Sequence, residues 1–181
     1  MYGGSVSKIH AHEESLSGLD TLVADLGTAL VAQGLRMGAA ESCTGGLVAH
    51  TLTNIAGSSA WFEGAVVAYD NRVKQALLGV SEQILHSYGA VSAQCVKAMA
   101  VGVARLLDVP VTVAVSGIAG PGGGSADKPV GTVWMAWHIN GQVWSKVCTF
   151  CGDRSQIKAG SVRAVLEELG GVLIKKRRVI G

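Results

Sequence analysis

The sequence predicts an α/β fold in which helices cover both faces of a mixed, mostly parallel sheet, giving three α/β/α layers. Helix-like and strand-like segments alternate along most of the chain, which favours parallel strands linked by helices. Late in the chain, two apolar runs are joined by Asn140-Gly141, the strongest short-range signal for a β-hairpin. A length of 181 residues suits one domain with a single core.

Apolar periodicity and breaks in it predict the elements of the first half. Leucines at helical spacing indicate a first helix, and glycines mark where segments end. The predicted elements are a helix from Leu19 that stops before Gly34, a strand over Leu35–Ala40, a helix from Leu47 to about Asn54, and a strand within Trp61–Tyr69.

Small polar residues that suit helix N-caps predict the helices of the second half. Asp70 or Asn71, Ser81 and Ser92 precede helices that end near Leu78, Tyr88 and Leu107, and Asp153 with Gln156 resembles a capping box before a terminal helix. On the third of these helices we expect Val96, Met99, Val103, Leu106 and Leu107 to face inward. The remaining strands are Val111–Ser116 and the two hairpin strands, Val130–Ile139 and Gln142–Phe150.

Composition excludes several classes of protein. Hydrophobic residues make up 49% and charged residues 15%, and the formal charge is +2, which is too small to suggest a nucleic-acid partner. No apolar run reaches the length of about 18 residues that a membrane helix needs. The first 14 residues also lack the apolar stretch of a signal peptide. We therefore expect a cytoplasmic protein with reduced cysteines and no membrane partner.

The predicted organisation is one domain with short extensions. Residues 1–15 are assigned to a flexible leader, residues 16–172 to the domain, and residues 173–181 to a tail that carries the basic cluster Lys175–Arg178. Four basic residues at a chain end are typical of a solubilising tail.

The stretch Ala40–Gly46, Ala-Glu-Ser-Cys-Thr-Gly-Gly, joins a predicted strand to a predicted helix. Small and polar residues at such a junction allow backbone N–H groups to approach an oxyanion, and they can hold Ser42 or Cys43 outward as a nucleophile. The alternative is a tight turn in which Ser42 or Thr44 only caps the helix.

Two further loops point to the same place. The segments after the strands that start near Leu35, Ala65 and Val111 hold nearly all the reactive side chains, and ligands of α/β sheets bind at the carboxyl ends of strands. The loop 117–125 is rich in glycine but has neither dinucleotide nor P-loop spacing. It could cradle a single phosphate, or it could be a mobile surface loop.

A serine nucleophile needs a base, and none of the five histidines lies in a glycine-rich loop. Lys74 is the best-placed lysine, because it follows a strand and lies near Tyr69. It must be neutral to accept a proton, so burial or neighbouring charges must lower its pKa. The alternative is an ordinary exposed helix lysine. Cys43 competes with Ser42, but it would need a cationic neighbour to form a thiolate.

A metal site is not expected. Cys148 and Cys151 have a spacing found in zinc and redox sites, but the chain has no second such pair. The two cysteines also fall in a strand-like run, where residues three apart point to opposite faces.

Several blocks of the sequence, taken in order, resemble the C-terminal domain of the CinA competence/damage-inducible family. They are Glu41–Gly46, Gly57–Ser59, Tyr69–Lys74, Leu78–Val80, Gly89–Ser92, Ser116–Pro121, Lys128–Trp134 and Gly152–Arg154. The resemblance covers about residues 18–170. It implies a three-layer α/β/α domain and, since standalone members are nicotinamide mononucleotide deamidases, hydrolysis of that carboxamide to nicotinic acid mononucleotide and ammonia.

The resemblance also implies roles for individual residues. The catalytic serine, tyrosine and base lysine of the family fall on Ser42, Tyr69 and Lys74, and its arginine on Arg154. We expect Tyr69 to act as a proton relay or as a positioning residue. We expect N–H groups of Thr44, Gly45 and Gly46 to stabilise the oxyanion. Further substrate contacts are expected from the loop after the third strand and from the start of a helix: Asn71, Ser116, Gly117, Ala119 and Gly120. No metal or organic cofactor is expected.

Two points stay open on this resemblance. Asp70 stands where the family usually has a small residue, and it could raise the pKa of Lys74. A module that binds a pyridine nucleotide or phosphate without turnover is the alternative to an enzyme.

Four tryptophans in a small domain could leave apolar surface for another copy, so we expect a homodimer or a larger homo-oligomer.

Overall fold

A computed structural model describes residues 7–9 and 18–177, and the side chains of residues 18–174. Its centre is a six-stranded sheet in the order β1-β6-β5-β4-β2-β3. β5 is antiparallel to both of its neighbours, and the other neighbouring strands are parallel. The strands are β1 Ser7–Ile9, β2 Met37–Glu41, β3 Phe62–Val67, β4 Val111–Gly117, β5 Thr132–Ile139 and β6 Gln142–Phe150. The predicted mixed, mostly parallel sheet is confirmed.

Helices cover both faces of the sheet, which confirms the three layers. The helices are α1 Leu19–Ala32, α2 Leu47–Thr53, α3 Asn71–Leu78, α4 Glu82–Tyr88, α5 Ala93–Leu107 and α6 Arg154–Arg177. Helices α1, α2 and α6 share one apolar cluster with the sheet, and the fully buried Leu26 and Leu166 belong to it. Helices α3, α4 and α5 pack on the opposite face through a second cluster that includes Met99.

The predicted helix caps are present. The Ser81 and Ser92 hydroxyls accept hydrogen bonds from the N–H groups of Ile84 and Cys95, each at 3.2 Å. The N–H of Gln156 donates to the Asp153 carboxylate at 2.9 Å, while the N–H of Asp153 donates to the Gln156 side chain at 2.8 Å. This reciprocal pair is a capping box, so local side-chain chemistry sets the start of α6.

The hairpin between β5 and β6 also follows its prediction. Asn140 and Gly141 have φ angles of 48° and 85°, as a type I′ turn requires at its two central positions. This turn reverses the chain so that β6 runs beside β5.

One inward prediction on α5 is wrong. Val96, Met99 and Val103 are fully buried, but Leu106 is 50% exposed. Leu106 is rotated by about 60° from Val103 around the helix axis, which turns its side chain away from the sheet. Leu107 instead packs against the second cluster.

The described chain extends past both predicted domain boundaries. Ser7–Ile9, placed in the flexible leader, pair in parallel with β6 at the edge of the sheet. The rest of that leader up to residue 15 lies outside the described residues. At the other end, α6 continues to Arg177, and Leu173 is only 1% exposed because it lies on the apolar face of that helix. The end of the predicted basic tail, from Arg178, lies outside the described residues.

The tryptophans pack mainly within the domain. Trp61 and Trp137 are buried, and Trp137 stacks on Trp144 with ring centroids 5.9 Å apart. Trp134 and Trp144 are half-buried, and the oligomeric state stays a prediction. Among the described residues, no helix is both long and apolar enough to cross a membrane.

Candidate active site

A cavity of about 270 Å³ opens where β2, β3 and β4 end. These three strands are parallel neighbours, so their carboxyl ends meet at one edge of the sheet. The predicted site residues that line the cavity are Ser42, Tyr69, Asn71, Lys74, Ser116, Gly117, Ala119, Gly120 and Arg154. Ala90, Val91 and Ile118 also line the cavity. They were not predicted as site residues, although they lie within the blocks Gly89–Ser92 and Ser116–Pro121 that carry the family resemblance.

Lys74 and Ser42 meet at the base of this cavity. Lys74 is 1% exposed, and its Nζ lies 3.0 Å from Ser42 Oγ. The same nitrogen donates to the backbone carbonyls of Ala68, at 2.8 Å, and Tyr69, at 3.0 Å. The alternative of an ordinary exposed helix lysine is therefore excluded.

The surroundings of Lys74 favour its neutral form. Burial lowers the pKa of Lys74, and the opposing effects of Cys95, Asp70 and Cys43 are smaller. A neutral amine has two N–H donors and one lone pair. In the charged form the amine donates to Ser42 Oγ as well as to the two carbonyls. In the neutral form the two carbonyls would take the two N–H donors, and the lone pair would face the hydroxyl of Ser42. The site thus has the geometry of a serine activated by a lysine base.

Asp70 does not pair with Lys74. Its carboxylate accepts a hydrogen bond from the Arg72 N–H at 2.8 Å and lies 3.4 Å from the Arg72 side chain, so it caps α3 from an exposed position. Its charge raises the pKa of Lys74 less than burial lowers it. Asp70 therefore raises the pKa of Lys74, as expected, but does not reverse the lowering caused by burial.

Cys43 is a poor nucleophile where it stands. Its side chain is 5% exposed, and burial raises the pKa of its thiol to about 12. The thiol is therefore protonated near neutral pH, and a protonated thiol is a weak nucleophile. Between the two candidates in this turn, the geometry favours Ser42.

The turn after Ser42 does not offer the three oxyanion donors that were predicted. The Gly45 N–H donates to the Ser42 carbonyl at 3.1 Å, and the Gly46 N–H donates to the Glu41 carboxylate at 2.9 Å. Within the part of the chain that the structure describes, the Thr44 N–H has no acceptor and the buried Thr44 hydroxyl has no partner. None of these three residues lines the cavity, because the turn folds back towards α2.

Arg154 spans the rim of the cavity. Its guanidinium donates to the Gly120 carbonyl at 2.7 Å and to the Tyr69 hydroxyl at 3.0 Å. Tyr69 therefore holds Lys74 through its carbonyl and Arg154 through its hydroxyl. The hydroxyl points to the rim and not to the lysine, so the geometry does not support a proton relay through it.

The loop after β4 forms the opposite wall. The Ser116 hydroxyl donates to the Ala90 carbonyl at 2.8 Å, which ties this loop to the start of α5. A Cβ at Gly117 would lie 2.7 Å from the Thr132 carbonyl oxygen, so only glycine fits there. The hydrogen bond and the close packing fix the end of β4 beside the cavity.

No cluster of metal-ligand side chains occurs among the residues that the structure describes. Cys148 is buried and Cys151 is exposed. Cys148 lies within β6, whereas Cys151 follows the end of that strand.

The chain is similar to several known proteins. The CinA C-terminal domain profile matches residues 19–173. A nicotinamide-nucleotide amidohydrolase PncC from Enterobacter agglomerans is 52% identical over 141 residues, which are 77% of this chain and 86% of that protein. A CinA-like protein from Desulfotalea psychrophila is 43% identical over 86% of this chain, but the match covers only 38% of that longer protein.

Solved structures share the fold. The crystal structure of a CinA superfamily protein from Klebsiella pneumoniae matches with a TM-score of 0.84 at 36% identity, over 88% of this chain and 99% of that one. The profile match, the relatives and the shared fold lead to one conclusion. The chain belongs to the CinA C-terminal domain family.

Proposed function

We propose that this protein hydrolyses the carboxamide of nicotinamide mononucleotide to nicotinic acid mononucleotide and ammonia, and so serves pyridine nucleotide recycling. The observation that carries the proposal is the 3.0 Å contact between Lys74 Nζ and Ser42 Oγ in a buried site. The similarity to a nicotinamide-nucleotide amidohydrolase over 86% of its length supports the choice of substrate.

In the proposed mechanism, neutral Lys74 takes the proton from Ser42 as Oγ attacks the carboxamide carbon. The tetrahedral intermediate then collapses, the C–N bond breaks, and the lysine ammonium returns the proton to the leaving amine, which departs as ammonia. An ester joins Ser42 to the pyridine carbonyl. Lys74 next takes a proton from water, which attacks the ester, and Ser42 leaves with that proton as the acid is released.

The remaining residues bind and orient the substrate in this proposal. Asn71 lines the cavity with an amide that can donate to the oxyanion. The Thr44 N–H is not bonded within the described chain, but Thr44 does not line the cavity, so this N–H could serve the oxyanion only if the turn moved on substrate binding. One good donor contributes about 3 kcal/mol to such a transition state. Arg154 and the loop from Ser116 to Gly120 hold the ribose and phosphate, since a guanidinium grips a phosphate through two parallel hydrogen bonds.

A binding module without turnover is the rival function. It would use the same cavity, but it would have no need for a buried lysine with a lowered pKa beside a serine. Burial of an amine costs free energy, and the lowered pKa that results is useful to an enzyme but not to a binding module. This difference favours the enzyme.

The test is to incubate the purified protein with nicotinamide mononucleotide and to follow ammonia and nicotinic acid mononucleotide together. Equal amounts of both products support the amidohydrolase. Calorimetric binding without either product, even at high protein concentration, would establish the binding module instead.

A further inference from the structure

Glu41 is a buried charged residue that the mechanism above does not use. Its side chain is 0% exposed and lies outside the cavity. One carboxylate oxygen accepts hydrogen bonds from the N–H groups of Gly46, at 2.9 Å, and Val48, at 3.1 Å. The other accepts from Ala49 at 2.9 Å. Burial of a carboxylate is costly unless hydrogen bonds compensate for the lost water. Three backbone donors meet this carboxylate, and this arrangement points to a definite role.

The position of Glu41 in β2 explains why it reaches α2. Met37 and Ala39 face the cluster formed with α1, α2 and α6, whereas Ala40 faces the cluster on the other side of the sheet. Alternation therefore directs Glu41 towards α2 and Ser42 towards Lys74. The end of the strand is held from both faces, by the carboxylate on one side and by the serine on the other.

The turn between β2 and α2 contains two glycines, which allow it a wide range of backbone conformations. Gly45 and Gly46 have φ angles of 63° and 98°, a region that glycine enters without strain. The Glu41 carboxylate spans this segment, since it joins the end of β2 to the N–H of Gly46 and to the first turn of α2. The turn also has hydrogen bonds of its own, from the Ser42 N–H to Val115 and from the N–H groups of Gly45 and Leu47 to the carbonyls of Ser42 and Thr44. Among these links, the carboxylate is the one that joins the side chain of a β2 residue to the first turn of α2.

We propose that Glu41 is a positioning residue for the nucleophile: its carboxylate fixes the turn 42–46 so that Ser42 Oγ stays within hydrogen-bond reach of Lys74 Nζ. This inference rests on the proposed amidohydrolase function. It separates two tasks within one turn, because Glu41 shapes the turn while Ser42 reacts. A displacement of about 1 Å at a reacting atom can cost roughly 100-fold in rate.

The test replaces Glu41 with glutamine, which keeps the size of the side chain but turns one acceptor oxygen into an amide donor that faces an N–H group. We expect kcat for ammonia release to fall by roughly 10- to 100-fold, while KM for nicotinamide mononucleotide stays within about threefold. The matched control is Leu52→Ala, which removes a buried side chain from α2 without touching the carboxylate. It should lower the melting temperature and leave kcat per folded protein unchanged.

A second variant keeps the proposal testable if Glu41→Gln does not fold. Glu41→Asp keeps the charge on a shorter side chain, and it should also lower kcat more than it changes KM. In a Ser42→Ala background, Glu41→Gln should leave the calorimetric Kd for nicotinamide mononucleotide within about twofold, because the residue acts on the serine and not on the ligand.

The outcomes are distinct. If the wild-type protein releases no ammonia, the proposed function fails. If the wild-type protein is active and either folded Glu41 variant keeps its kcat, the positioning role is wrong while the function stands. The role is also wrong if Leu52→Ala loses kcat to the same extent, or if both Glu41 variants fail to fold while Leu52→Ala folds.

Discussion

Lys74 Nζ and Ser42 Oγ lie 3.0 Å apart although the two residues are 32 positions apart in the chain. The contact forms because β2 and β3 are parallel neighbours, and each is followed at its carboxyl end by a turn that leads into a helix. Sheet topology thus brings the side chains of Lys74 and Ser42 together, and burial of Lys74 lowers its pKa.

Replacement of Lys74 by methionine should remove the base while keeping the volume of the side chain. General base catalysis contributes about 10²- to 10⁴-fold, so kcat/KM for ammonia release should fall within that range. Lys74→Arg should be equally inactive, since a guanidinium stays protonated. An arginine variant with more than about a tenth of wild-type activity would contradict the role of a neutral base.

The pH dependence follows from the lowered pKa of Lys74. Burial lowers this pKa below its ordinary value of 10.5, and only the neutral amine can accept the serine proton. The rate constant kcat/KM should therefore rise with pH through the lowered pKa and level off before pH 10.5. The measurement is ammonia release across this range with stability checked at each pH. A rate that falls as pH rises through the same range would refute the assignment.

Replacement of Cys43 by alanine should leave kcat within about threefold of the wild type. The thiol is protonated near neutral pH because burial raises its pKa to about 12, and it takes no part in the proposed chemistry. Thiol alkylation of the native protein should likewise be slow at this position. Loss of activity in a folded Cys43→Ala protein would make this residue a candidate nucleophile again.

Arg154→Ala should raise KM for nicotinamide mononucleotide more than it lowers kcat, since the guanidinium lies at the rim and not at the reacting atoms.

Tyr69→Phe removes the hydroxyl that accepts a hydrogen bond from Arg154. Such a bond contributes about 1 kcal/mol, so KM should rise roughly fivefold. Steady-state kinetics of the two single variants and the double variant test this. A large loss of kcat in Tyr69→Phe would indicate the proton relay instead.

Features that depend on neighbouring residues could be predicted from the sequence. The caps at Ser81, Ser92 and Asp153 and the turn at Asn140-Gly141 are set by side chains a few positions away. The shared edge of the sheet could also be predicted, because parallel strands end on the same side. For the same reason, the order of strands and helices along the chain is enough to place Ser42, Lys74 and the loop after β4 together.

Features that depend on three-dimensional contacts could not be predicted from the sequence. The pairing of Ser7–Ile9 with β6 requires a free sheet edge that no local pattern reveals. Glu41 directly follows an apolar run, but nothing in the sequence shows that its carboxylate turns back to α2 and occupies the Gly46 N–H. That hydrogen bond engages one of the three backbone donors that we expected to face the oxyanion. The direction of the Tyr69 hydroxyl towards Arg154 is likewise a tertiary contact.

The most direct test of the central claim, that Ser42 attacks the carboxamide, is turnover by Ser42→Ala compared with its substrate binding. We expect ammonia release to fall by about 10³-fold or more, while calorimetry gives a Kd for nicotinamide mononucleotide within about threefold of the KM of the wild-type protein. A folded Ser42→Ala protein that releases ammonia within about tenfold of the wild-type rate would contradict the claim.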